Sequence, residues 1–477
     1  MLNTRSGNVP GSRPTNAAFA SASAQTTLQQ TRALRAPAPA SLASLPSKKA
    51  DALIWAICLA LLAQVWRLHS IFPLLAKIRL IWLATGIALL FLLVNHDPLR
   101  RLALIKNDRI SRLLLLLLGL MVAGVPFAIV QGQAFAGLWQ VVLPNVALFI
   151  LVACSIRSTR DIEVYALVSL CGATIFATMK VLGIESAGYY DRNDLALVLL
   201  CHVPFAIYLL RPGASFIRKI LALTSLGLMV YVIVKGSSRG GFIGLMGIAL
   251  YVLLRYRGIP VRTRLFAIVG GFLMLSFVAD ASYWERMRSL LNPKSDYNWS
   301  GNSDTGRMDV WARGMTYMIQ NPVLGVGLRN FASAEGHSVL SSALQGQGTG
   351  FKWSVAHSSF VEIGAELGII GFIAFIALFV IGIRSMARVQ RTGSLRGREP
   401  PLELPQSQML LGSLLGFIIC GLFLSAEHFA ILYLLLGMVV GLLKLLSLPA
   451  RPVLRTGTRS LQPASMSAGK RPQLRTN

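Results

Sequence analysis

Long apolar runs separated by short polar segments recur along this chain from Leu53 to Leu446. Runs of this kind are long enough to carry a helix across a hydrocarbon core of about 30 Å. The pattern predicts an all-α polytopic membrane protein of about twelve transmembrane helices. They fall near 52–66, 78–94, 113–131, 138–155, 162–182, 194–210, 219–235, 240–254, 265–279, 358–383, 408–425 and 429–446. Several are interrupted by Gly or Pro. One polar break, about 280–356, is much longer than the others. Inside it Met308, Trp311, Met315 and Met318 recur at helical spacing, which predicts a short amphipathic helix lying on the membrane surface or over the spans.

Composition agrees. The 477 residues are 54% hydrophobic and 14% charged with a mean hydropathy of +0.60, against roughly a quarter charged in soluble chains. A net charge of +27 would suit a nucleic-acid binder, but its distribution argues against one. The loops with Arg100, Arg101 and Lys106, with Arg157 and Arg160, with Arg211 and Arg218, with Arg255 and Arg262, and with Arg384 to Arg398 alternate with loops poor in Lys and Arg. That is the positive-inside pattern, and anionic lipid is the nearest polyanion. The hairpin with Arg67, Lys77 and Arg79 breaks the rule; five basic loops outweigh it. Both termini are then cytoplasmic and segment 280–356 is periplasmic. The domain expectation is a basic disordered tail at 1–50, a membrane domain at 51–446 and a second such tail at 447–477. The first tail, which has no acidic residue, also overlaps in composition with a transit peptide. Five cysteines without a C-x-x-C pair lie in or beside apolar runs and predict neither disulfides nor a metal cluster.

Four polar constellations map to the outer side. Lys235-Gly-Ser-Ser-Arg239-Gly-Gly241 puts positive charge where the inside rule disfavours it. A Gly/Ser turn opening a helix suits an anion, with Arg239 as a phosphate fork; snorkelling basic residues in a plain hairpin are the alternative. In Arg307-Met-Asp-Val-Trp311, Arg307 lies one turn before Trp311 on the same side, for phosphate binding or simple solvation. His357 opens the late apolar run, where an imidazole can act as a base near neutral pH or merely pack. Ser359-x-x-Glu362 has capping-box form, while Glu366, one turn further in, suits an arginine partner. In Tyr189-Tyr190-Asp191-Arg192-Asn193-Asp194, Asn193 or Asp194 caps the next helix and the tyrosines form an interface belt. Alternatively the tyrosines and carboxylates bind sugar.

Together these residues resemble the O-antigen ligase and O-antigen (exopolysaccharide) polymerase superfamily of integral membrane glycosyltransferases. The resemblance is carried by Ser238-Arg239-Gly240, Arg307-x-x-x-Trp311, Asn321-Pro-x-x-Gly325-x-Gly327-x-x-x-Phe331, His357 and Glu366-x-Gly368-x-x-Gly371. Asp191-x-Asn193-Asp194-Leu195-Ala196 resembles the polymerase branch. The resemblance implies a multi-pass enzyme of the bacterial inner membrane, acting on the periplasmic side. It would need no cofactor and no metal. Its donor would be an undecaprenyl-diphosphate-linked glycan, and its acceptor a second glycan, for polymerisation, or lipid A–core, for ligation. Other polysaccharide-export proteins are implied partners besides the bilayer. His357 becomes the catalytic base and Arg239 and Arg307 the diphosphate-binding pair, supported by Glu366, Asp191, Asp194 and Trp311. Ser358 follows the histidine where the family commonly has Asn. A solute or ion transporter, the alternative from another class, would show repeated halves with broken spans.

Overall fold

The computed structural model describes residues 52–68, 72–94, 98–184, 190–257, 259–288, 306–340, 355–395 and 404–447. Both expected tails lie outside them. Among the described residues the fold is helix and loop without strand. In chain order the helices are α1 (Ala52–Gln64), α2 (Pro73–Lys77), α3 (Leu80–Val94), α4 (Pro98–Lys106), α5 (Arg109–Gly124), α6 (Gln131–Gly137), α7 (Leu143–Ser155), α8 (Thr159–Val181) and α9 (Arg192–Leu209). They continue as α10 (Phe216–Lys235), α11 (Arg239–Arg255), α12 (Val261–Val278), α13 (Ala281–Arg288), α14 (Arg307–Gln320), α15 (Phe331–Leu340), α16 (Ser359–Leu395), α17 (Leu404–Gly421) and α18 (Ala430–Ser447).

Nine helices among the described residues are long and apolar enough to cross a membrane, or ten if the bent pair α3 and α4 counts as one span. Each of the twelve expected apolar runs holds a helix, but α1 with 13 residues, α3 with 15 and α11 with 17 are shorter than those nine, and α4 follows α3 at an angle of 104°.

Local signals set several helix starts. Asp108 accepts from Ile110 N at 2.8 Å, and Ser158 with Asp161 forms a reciprocal capping box at the start of α8. The interior is built by α9, packed on α17 and α10, and by α18 packed on α7. Several polar side chains inside are paired with one another: Ser169 Oγ lies 2.6 Å from His202 Nε2, and Gln64 Nε2 donates to Thr85 Oγ1 at 2.9 Å. At one end of the bundle Glu163 of α8 grips Arg211 at 2.8 Å and also Arg218, tying the end of α9 to the start of α10. Four cysteines, Cys58, Cys154, Cys201 and Cys420, are free and buried.

The opposite end gathers the starts of α9, α11, α16 and α18. Cys420 Sγ at the end of α17 lies 3.3 Å from Gly240 O at the start of α11. The Ser359 backbone N–H donates to Leu424 O at 2.8 Å, and Tyr190 packs on Phe429 with ring centroids 5.4 Å apart. Between α10, α11 and α12 runs an apolar cavity of about 600 Å³, lined by Leu226, Val230, Val234, Phe242, Leu245 and Leu275 among others. Its upper residues, Val234, Phe242 and Leu275, are those on which Tyr283 and Met287 of α13 pack.

Candidate functional site

The turn between α10 and α11 is tight. Ser237 has φ of +50° and the Ser238 hydroxyl accepts from Gly241 N at 3.2 Å, so one donor of the first helical turn is already used. Arg239 begins α11 directly after this cap. Arg307 begins α14, and the two arginines are electrostatic neighbours. Burial first, and then the Arg239 charge, lower the Arg307 guanidinium from its ordinary value; it remains charged at neutral pH. Arg286, on the exposed side of α13, is in turn the charged neighbour of Arg239. Two cations held close together at a bundle end raise the positive potential there, which would attract an anion.

The α14 helix faces inward by a stripe different from the expected one. Val310, Gly314, Tyr317 and Met318 are buried, whereas Met308 and Met315 are exposed. Gly314 decides this, because a Cβ there would lie 2.5 Å from Val361 and 3.0 Å from Phe331. Trp311 flanks the stripe and donates from Nε1 to Ala356 O at 2.8 Å. That bond fixes the residue just before His357. On the other side Ser358 is buried and its carbonyl accepts from Glu362 N at 2.9 Å. His357 itself is half-buried with φ of +48°, an uncommon conformation for a residue with a side chain, held by two fixed flanks.

The capping box expected from Ser359 and Glu362 is not formed. The Ser359 hydroxyl donates to Leu424 O at 2.7 Å and accepts from Ala426 N at 2.8 Å, while Glu362 bonds Ser425. Both side chains were recruited by the 422–429 loop, a partner distant in sequence. Glu366 likewise has no guanidinium partner in the observed bonds: its carboxylate accepts from Arg329 N at 2.7 Å and Phe331 N at 3.1 Å. The expected arginine contributes its backbone instead.

The spaced glycines have a steric explanation. At Gly368 (φ +70°) α16 breaks, and the 321–331 loop docks on the exposed backbone: Val326 N donates to Ala365 O, Gly327 N to Glu366 O and Ile369 N to Pro322 O. A Cβ on Gly325 would sit 2.2 Å from Glu366 carbonyl carbon, and one on Gly368 2.4 Å from Pro322 O. The loop is also clamped by Arg313, whose Nε and terminal nitrogen reach Glu335 at 2.9 and 2.6 Å, with Tyr317 donating to the same carboxylate at 2.8 Å.

Asp191 is the cap of α9, accepting from Asn193 N and Asp194 N at 2.7 Å each; Asn193 and Asp194 lie inside the helix, contrary to expectation. The Tyr190 ring packs inside and its hydroxyl donates to Val65 O at 2.8 Å, which removes it from the sugar-platform reading. Burial pushes the Tyr190 phenol up to about 12. Tyr189 lies outside the described residues. The structure therefore brings Arg239, Arg307, Trp311 and His357 to one bundle end, with Glu366 beneath them as support. Asp191 and Asp194 share that end through the approach of Gly236 to Arg192 O. Among the described residues no group of three or more His, Cys, Asp or Glu is placed to hold a metal ion. Sequence reasoning missed Arg286, the buried Glu427 and its half-buried neighbour His428. Two ionisable residues between the last two apolar runs were the available signal.

Residues 224–376 match the family model described as O-antigen ligase. The chain carries a domain of the O-antigen ligase-like superfamily. The matched segment contains Arg239, Arg307, Trp311, His357 and Glu366, while Asp191, Asp194, Glu427 and His428 fall outside it. No curated protein matches the chain. With its apolar helices, the O-antigen ligase-like domain identifies a multi-pass membrane protein.

Proposed function

We propose that this protein is a periplasm-facing glycosyltransferase of the inner membrane, taking an undecaprenyl-diphosphate-linked glycan as donor. The observation that supports it most is the joining of two functions in one helix. The α14 helix carries Arg307 beside Arg239 and, one turn on, holds the His357 turn through Trp311. The apolar cavity between α10, α11 and α12 ends beneath α13 and suits a prenyl tail, with the diphosphate reaching Arg239.

Transfer breaks the bond between the anomeric carbon and the diphosphate oxygen. Negative charge grows on the leaving diphosphate, where Arg239 and Arg307 stabilise it without a metal. His357 accepts the proton of the attacking sugar hydroxyl as the new glycosidic bond forms. Asp191 and Asp194 stand at the same end for contact with sugar hydroxyls, and Glu366 holds the loop beneath. We assign polymerisation of exported repeat units as the activity. The description of the matched family favours a second reading, ligation of finished glycan to lipid A–core. The two differ only in acceptor.

The deciding experiment is transfer from purified lipid-diphosphate glycan, offering a second lipid-linked repeat or lipid A–core. The repeat should be extended; transfer to lipid A–core alone establishes the ligase reading. His357→Ala should lose about two to four orders of magnitude in rate in matched folded protein, with donor binding retained. Turnover by that variant at the parental rate removes His357 from the mechanism.

A further inference from the structure

Two ionisable residues that no motif covers lie behind the histidine turn. Glu427, in the loop between α17 and α18, is 5% exposed, and its Oε2 has no hydrogen-bond partner. Neither ring nitrogen of the adjacent His428 has one either. His428 Nε2 stands 3.8 Å from Glu427 Oε1 and 3.9 Å from Glu366 Oε2, so one imidazole faces two carboxylates. Glu362 adds a third carboxylate through Ser425 of the same loop. Ser359, two residues from His357, lies against the Glu427 carboxyl and also bonds Leu424 and Ala426. Other groups facing the cluster are Arg329, electrostatically near Glu362, and Tyr433 of α18, near Glu427.

Neighbouring carboxylates in a buried cluster disfavour the ionisation of Glu427. Glu366 accepts two backbone N–H groups. The carboxyl with an unpartnered oxygen is Glu427. Burial first, and then the Glu362 and Glu366 charges, raise it well above the usual carboxylate range.

We propose that Glu427 and His428 are positioning residues for the transfer: Glu427, seated between Ser359 and His428, keeps the 422–429 loop closed on the start of α16 and thereby holds the His357 turn. This assignment rests on His357 acting as the base. Loss of the Glu427 proton sets a further negative charge beside Glu362 and Glu366, and the loop that bonds Ser359 is pushed away. Activity then has an alkaline limb that belongs to this cluster, separate from the acid side, where His357 cannot accept a proton.

The sign for stability follows from proton binding. The folded chain holds the Glu427 proton more tightly than the unfolded chain does, so the native state binds more protons between the two ionisations. Stability is therefore highest at low pH and falls as pH rises above the ordinary glutamate value of about 4.3, until the folded carboxyl ionises.

The experiment compares the full-length parent with Glu427→Gln in detergent from about pH 5 to 9, measuring kcat and KM with lipid-diphosphate glycan and the thermal midpoint. In the parent, kcat should fall on the alkaline side by up to about tenfold per pH unit while donor KM stays constant. Glu427→Gln, uncharged at every pH, should keep the acid-side kcat and lose that limb, and its midpoint should stop declining. Glu427→Asp should keep the limb. An unchanged alkaline limb in the Gln variant, a flat midpoint profile in the parent, or a Gln variant that does not fold each overturns the proposal. A parent without transfer activity defeats the glycosyltransferase reading instead, and the midpoint profiles still decide the role of Glu427.

Discussion

The two sides of the site end treat charge in opposite ways. On one side Arg239, Arg286 and Arg307 stand at helix starts and on the exposed face of α13, close enough to influence one another. On the other, Glu335, Glu366 and Glu427 are each at least nine-tenths buried. Cations this close repel one another, and an anion between them would offset that repulsion. Carboxylates buried among backbone N–H groups and a clamping arginine are poor ligands, because nothing can reach them. One side gathers positive charge and the other holds the loops together, and His357 sits on the segment between.

That contrast can be broken most forcefully at Glu335. Glu335→Ala leaves Arg313 and Tyr317 without their shared acceptor, and about 3 to 5 kcal/mol of stability should be lost, read as a lowered denaturation midpoint. The cationic side should respond differently. Arg307→Lys and Arg239→Lys keep the charge but lose the planar fork, so transfer should drop about a hundredfold with an unchanged midpoint. An equal loss of stability in both sets would erase the distinction between the two sides. The smallest expected effect sharpens it: Trp311→Phe removes one hydrogen bond to Ala356 O and should cost about 1 kcal/mol. It should nonetheless lower kcat more than its stability change suggests, because the lost bond steadies the His357 turn.

The legible parts were those encoded locally. Arg239 after a Gly/Ser turn, Arg307 one turn before Trp311, and His357 at the opening of a late apolar run needed only short-range spacing. Apart from the cap of α9, which Asp191 supplies in place of Asn193 or Asp194, the misread features depended on partners far along the chain. Ser359 and Glu362 have the spacing of a capping box, but residues 424–426 compete for both side chains and win. Met308 and Met315 look like the buried face of α14 until Gly314, by its lack of a side chain, admits Val361 and Phe331 on the neighbouring face. The lengths of the shorter helices follow a related rule: hydropathy records where apolar residues are, and not where the backbone bends. Glu427 and His428 were visible as charges between apolar runs, but their significance lies in two contacts under 4 Å that spacing does not reveal.

The break at Gly368 has a mechanical meaning. Ile369 N bonds Pro322 O, and Ala365 O is taken by Val326 N, so the hydrogen-bond ladder of α16 does not run through this point. The long distal half can tilt as bilayer thickness changes, as membrane helices do. The short proximal half, anchored to the 321–331 and 422–429 loops, receives little of that motion. Gly368 thus divides α16 into two hydrogen-bonded segments, so that a tilt of one need not be carried into the other through the backbone ladder.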